Sequence, residues 1–312
     1  MASSVTILFL LLSIISMGGA LASSKPSGSS DPLIGEVCST QSHLVCTNYD
    51  DVQATSIAAD QVATAASMRD ASIQTINDLQ EDFFLESSLV EGRKIAIHNN
   101  LNDPAPSRPF VPSSAVSSLP ELTTYNALDI MSYFGVARDS SMATAIVTAA
   151  YLCGGAALPG EAKSCAASTK ALAAFVASEL GNNVSIYATK GAPTTYSTST
   201  SHVKAPVTIL KVAKGSVEEG RKIVVCHHLA FPSALYYCHA VTGTKVIQAT
   251  LKTEGRLRAA YIKAMAVCHL NTELWLSRHP AFKALNIARG DEACHFLVEN
   301  DLVFTRALQT SG

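Results

Sequence analysis

Charge is what this sequence has least of. Charged residues fill 15% of its 312 positions, against about 25% in an ordinary globular chain, which excludes a disordered polyelectrolyte and a charge-laced coiled coil. Neither sign dominates: 23 Lys and Arg stand against 25 Asp and Glu, for a net charge of −2. There is no basic footprint for nucleic acid and no polybasic tether to a membrane. Catalytic signatures are also missing. The chain has no HExxH, P-loop, GxGxxG or GxSxG, so hydrolase, kinase and dehydrogenase readings have nothing to rest on. Past residue 17 no apolar run approaches the ~20 residues of a membrane-crossing helix, and no period of 20–50 residues marks a repeat architecture.

What is present begins with an export signal. Residues 5–17 read VTILFLLLSIISM, too short to span a bilayer, and Ala20 and Ala22 stand at −3 and −1 of a cut after Ala22. The expectation is a signal peptide over 1–22, no membrane association after its cleavage, and a secreted, extracellular protein. Export implies an oxidising compartment, so eight cysteines read first as disulfides and only second as zinc thiolates. It also makes Asn183, in the sequon Asn183-Val184-Ser185, a glycan acceptor.

Residues 23 to about 35 are rich in Ser, Gly and Pro and read as a flexible start to a short variable segment, 23–81. Apolar spacing at Ile57, Val62, Ala65, Ile73, Ile76, Leu79 and Phe83 predicts amphipathic helix from about 54 to 84. A proline-punctuated stretch follows, a connector or a set of edge strands, then helices at 121–134, 140–151 and 166–180, with Gly181 as the stop. Beyond that the period changes to two. Segments 184–189, 206–213, 222–226, 245–251 and 258–268 read as strands. Helices first and strands afterwards predict an α+β fold with a strand-rich C-terminal half.

The chemistry sits in four Cys-His dipeptides: Cys226-His227, Cys238-His239, Cys268-His269 and Cys294-His295, with 10, 28 and 24 residues between them. They take four of eight cysteines and four of nine histidines within one 70-residue window. Consecutive side chains on a strand point to opposite faces, so four such pairs can separate a thiol layer from a histidine layer. Cys226 and Cys238 are symmetric about Pro232. A hairpin in that register sets the two cysteines opposite each other and His227 diagonally from His239. Two readings compete. In one the cysteines form disulfides and the histidines are ordinary hydrogen-bonded polar residues. In the other the imidazoles bind copper, zinc or nickel, with copper favoured by the Irving–Williams order. A Cys2His2 zinc site is a third option, although the spacings fit no zinc-finger pattern.

The array CH-x10-CH-x28-CH-x24-CH closely resembles the signature of the plant BURP domain. Supporting matches are Phe83-Phe84, Cys153 with the Gly160-to-Cys165 segment and Ser168, Tyr236-Tyr237-Cys238-His239, Thr272-Glu273-Leu274-Trp275 with His279, and Cys294-His295-Phe296. The resemblance covers 82–305 and leaves a C-terminal tail at 306–312. It implies a secreted plant protein of the apoplast or cell wall with a structural, developmental or stress-related role. Cell-wall polysaccharide, a wall protein or a peptide would be its partners. Family members include a non-catalytic subunit of polygalacturonase. Others are copper-dependent cyclases that cross-link Tyr or Trp of a peptide, and a cyclase acting on a peptide supplied in trans is the rival reading.

By position the resemblance nominates His227, His239, His269 and His295 as copper ligands, with His279 a weaker fifth. His228 has no counterpart in the signature and reads as solvated. Trp275 reads as core. Tyr49 is the one aromatic between residue 22 and Phe83, so the chain carries no evident core peptide of its own. The usual tyrosine before the hairpin proline is Phe231, and a usual tryptophan near the end is Phe304. Among the cysteines, Cys153 with Cys165 is the best local pair and Cys38 with Cys46 the next. The four array cysteines have three possible pairings, with Cys226 to Cys238 favoured by the hairpin.

Overall fold

A computed structural model describes residues 83–98, 101–103, 105, 108–192, 204–213, 222–240, 243–254 and 259–307. The signal segment, the Cys38–Cys46 pair and all but the last two residues of the helix expected over about 54–84 lie outside these residues. Two antiparallel sheets dominate. The six-stranded sheet runs β1 (Phe83–Phe84), β10 (Ala293–Phe296), β9 (Tyr261–His269), β8 (Thr244–Thr253), β5 (Lys204–Ala213) and β2 (Lys94–His98). The five-stranded sheet runs β3 (Ala162–Ala166), β7 (Tyr236–Ala240), β6 (Ile223–His228), β11 (Leu302–Arg306) and β4 (Val184–Tyr187).

Helices α1 (Ser113–Val116), α2 (Ala127–Tyr133), α3 (Ser141–Gly154) and α4 (Thr169–Leu180) precede most strands, and α5 (Pro280–Leu285) interrupts the last ones. The three expected helices correspond to α2, α3 and α4. Ser140 and Ser168 start α3 and α4 by accepting the N–H of Ala143 and Ala171 at 3.1 Å, as N-cap serines do.

Two parts of the sequence reading are corrected. Phe83 is not the end of a helix: Phe83 and Phe84 pair with His295 and Cys294 as an edge strand. Strands are not confined to the C-terminal half either, since β1 and β2 form the two edges of the larger sheet.

The sheets meet face to face through Ile223, Val225 and Val303 on one side and Val246, Met265 and Val267 on the other. The outer face of the smaller sheet is covered by Leu172, Ala173, Val176 and Leu180 of α4. Helices α2 and α3 form their own core around Ile130, Ile146, Phe231 and Leu235.

Candidate metal centre

All four Cys-His dipeptides lie on strands, and the alternation of side chains sorts them. Cys226 and Cys238 point into the core beneath α4, and Cys268 and Cys294 into the outer core of the larger sheet. Each pair occupies directly opposed positions, Cys226 across from Cys238 and Cys294 across from Cys268. Each closes as a disulfide, and Cys153 and Cys165 form the third among the described residues. The thiols therefore sit in two outer layers.

Their histidine neighbours face the other way, into the space between the sheets. Val225 stands opposite His239, which puts His227 on the diagonal as the hairpin argument expects. His227 and His239 come from the smaller sheet, with ring centroids 5.5 Å apart. His269 and His295 come from the larger sheet, 5.8 Å apart. Across the gap, His295 is 5.7 Å from His227 and His269 is 6.2 Å from His239. Two imidazoles from each sheet thus close a ring of four.

Polar neighbours fix several of these rings. Asp301 Oδ2 is 3.2 Å from His227 Nδ1, and its Oδ1 accepts the backbone N–H of His228 at 2.9 Å. His295 Nδ1 is 3.2 Å from the carbonyl oxygen of Phe296. His239 Nδ1 is 3.3 Å from Glu161 Oε1 but lacks an aligned hydrogen bond, so this contact is an electrostatic one. Glu161 also accepts the Tyr237 hydroxyl at 3.2 Å and the Leu158 N–H at 2.7 Å. His269 Nδ1 is buried with no hydrogen-bond partner among the described residues.

Burial decides the protonation of three of the rings. Loss of solvent, reinforced by the neighbouring imidazoles, pushes His269 well below its ordinary value and His295 down to about 4. Burial also lowers His239, more than the Glu161 carboxylate opposes it. These rings are therefore neutral near pH 7, the form in which imidazole donates a lone pair to a metal. For Glu161, burial acts upward but the polar contacts with His239, Leu158 and Tyr237 together bring it below the usual carboxylate value.

The donor chemistry of the ring suits a borderline cation such as copper. As the side chains stand, no group of three His, Cys, Asp or Glu among the described residues converges on a common point.

The other nominated residues fall differently. His279 lies outside the ring of four, 4.1 Å from Trp275 and 5.5 Å from Phe83, and its Nδ1 accepts the N–H of Ala281 at 3.3 Å as the cap of α5. Trp275 is not core. It is half-buried and stacks edge-on against His269 at 5.0 Å, so it forms a wall of the site. His228 is not solvated. Its side chain is 4% exposed, and its Nδ1 is 2.5 Å from the buried carboxylate of Asp103. No role was assigned from sequence to Asp301, Glu161 or Asp103: Glu161 lies within the matched Gly160-to-Cys165 segment, but each carboxylate meets its histidine only through the fold. Asn183 is exposed just before β4.

The fold thus defines a two-sheet β-sandwich domain, stapled by disulfides around an inter-sheet histidine ring. A family model described as the BURP domain matches residues 82–306, and the chain belongs to that family. It is 33% identical over 226 residues to the polygalacturonase non-catalytic subunit AroGP3 of Solanum lycopersicum, covering 72% of this chain and 34% of that protein. Polygalacturonase 1 beta-like protein 2 of Arabidopsis thaliana is 32% identical over 234 residues, 74% of this chain and 36% of the relative. The BURP domain protein RD22 of Arabidopsis thaliana is 32% identical over 226 residues, 71% and 55%. The chain spans about a third of the length of the polygalacturonase subunits it matches. Among the described residues no helix is long and apolar enough to cross a membrane.

Proposed function

We propose that this chain is a secreted plant BURP-domain protein of the apoplast or cell wall, with a structural, developmental or stress-related role and a copper-binding site between its sheets. The observation that carries the metal reading is the closed ring of His227, His239, His269 and His295 between the sheets, three of whose members, His239, His269 and His295, burial holds in the neutral form. These four would hold the ion, and bound copper would supply one-electron redox chemistry. Asp301 and the Phe296 carbonyl accept from Nδ1 of two rings and so leave Nε2 as the donor atom there. Export is supported by the 1–22 segment and by three disulfides, and Asn183 would carry a glycan. Metal analysis and Cu(II) titration of the purified protein test the site. His227→Ala and His269→Ala should each weaken copper binding, and unchanged binding in both would overturn the assignment.

One observation favours the rival reading, an oxidative enzyme that cross-links Tyr or Trp of a peptide supplied in trans. Phe83, Trp275 and His279 form a half-buried aromatic wall beside His269 and His295, an apolar seat for an aromatic side chain next to the ring. Incubating the copper-loaded protein with Tyr- and Trp-containing peptides under dioxygen separates the two readings. A product lighter by two hydrogens, with dioxygen as their acceptor, supports the enzyme. No such product across a broad panel supports the scaffold.

A further inference from the structure

Away from the histidines, the face of the larger sheet that meets its partner at Val246, Met265 and Val267 opens to solvent. Directly opposed residues of antiparallel strands place their side chains on one face. Following the register across β2, β5, β8 and β9 gives a row of Lys94, Thr208, Lys252 and Tyr261. Two residues along, Lys211, Thr250, Lys263 and Lys190 make a second row.

Two local devices build the second row. The register slips at Leu210. This bulge brings Thr208 and Lys211, three positions apart, onto a face they would otherwise divide. Lys190 joins as a bridge to β9, donating its N–H to the Lys263 carbonyl at 3.0 Å and accepting from the Lys263 N–H at 2.8 Å. The approach depends on Gly191, at φ +80°, where a Cβ would come within 2.5 Å of the Tyr261 carbonyl oxygen.

All five lysines are exposed, and Tyr261 is 59% exposed. Lys94 pairs with Glu254 at 2.6 Å. The other four have no carboxylate at ion-pair distance among the described residues. In a chain of net charge −2, this is a local concentration of positive charge, five lysines against the one carboxylate of Glu254, which sits at the end of the first row beside Lys94, Thr208 and Lys252.

We propose that this face binds a linear carboxylated polysaccharide, a uronate polymer. Four strands span roughly 15 Å at their usual spacing, enough for several consecutive sugars. Lysine ammonium groups offer point charges that meet regularly spaced carboxylates without demanding a fixed bidentate geometry. Thr208 and Thr250 supply hydroxyls for sugar hydroxyls, and Tyr261 supplies a flat apolar ring for a sugar face. The surface is independent of the histidine ring and of any metal in it.

The test is retention of the full secreted protein on immobilised polygalacturonate across a salt series. Wild type should bind at low salt and elute as salt rises. The triple variant Lys211→Glu, Lys252→Glu, Lys263→Glu should bind about tenfold or more weakly, each exposed contact contributing up to ~1 kcal/mol. Lys170→Glu with Lys283→Glu, exposed lysines elsewhere, should leave binding unchanged. Fully methyl-esterified galacturonan, which keeps the sugars and removes the charge, should not retain the protein. If the reversed variant fails to fold by circular dichroism, the three Lys→Gln changes replace it and should weaken binding in the same direction. Undiminished binding by the folded variant, equal loss in the Lys170/Lys283 control, equal retention on the esterified polymer, or tighter binding to duplex DNA or phosphatidylserine vesicles would each overturn the proposal.

Discussion

Asp301 holds His227 from outside the ring: its Oδ2 is 3.2 Å from His227 Nδ1, while its Oδ1 accepts the backbone N–H of the next residue at 2.9 Å. One carboxylate thereby fixes a side chain and the strand that presents it. Hydrogen bonding to a carboxylate fixes the tautomer of a ligating imidazole and raises its basicity. Asp301→Asn keeps the size and removes the charge. Cu(II) affinity, measured by competition with a chelator, should fall by about 10–100-fold with the fold intact. An unchanged affinity would leave Asp301 with a purely structural role.

The disulfides differ in access. Cys226, Cys238, Cys268 and Cys294 are fully buried. Cys153 and Cys165 are half-buried and line an open groove of about 370 Å³ with Leu119 and Leu122. Since exchange requires a thiolate to reach sulfur, mild reduction followed by alkylation and mass spectrometry should label Cys153 and Cys165 first. Replacing Cys226 and Cys238 by Ala should lower stability in a urea melt by ~2–4 kcal/mol. Early labelling of the buried four would contradict this order.

How much of this was legible follows from the range of each interaction. The Cys-His layering could be read because it depends only on the two-residue period of a strand, and the Cys226–Cys238 register because it is set by the local turn around Pro232. Strands β3, β10 and β11, of five, four and five residues, are not among the strand segments read from the sequence. Phe83 was misread because apolar spacing carried the helical pattern one step too far, where pairing with β10 takes over. The partners of the histidines were invisible: Asp301 lies 74 residues from His227, and Asp103 lies 125 from His228.

That last pair gives its own prediction. Asp103 is buried, with His228 Nδ1 at 2.5 Å and the Asn300 side-chain amide at 2.8 Å. His228→Leu removes one partner and leaves the carboxylate short of a donor in a dry site. A loss of about 1–3 kcal/mol follows, readable as a shifted urea midpoint at pH 7. Asp103→Asn in the same background should recover part of the loss. A solvated His228 would have given no effect in either variant.

The metal-free protein should be sensitive to mild acid, and the sign follows from the direction of the histidine shifts. Burial lowers His295 from 6.5 to about 4, and His269 shifts the same way. As pH falls below 6.5 the unfolded chain takes up protons that the folded ring refuses. Folding stability is therefore fully present above about pH 6.5 and is lost progressively toward pH 4. For His295 alone the loss at pH 5 is about 2 kcal/mol. Urea melts of metal-free protein at pH 7 and pH 5 measure it, and His295→Gln, which has no proton to take up, should flatten the dependence by about that amount. A slope that His295→Gln leaves unchanged would mean that this ring is solvated in solution rather than sealed between the sheets.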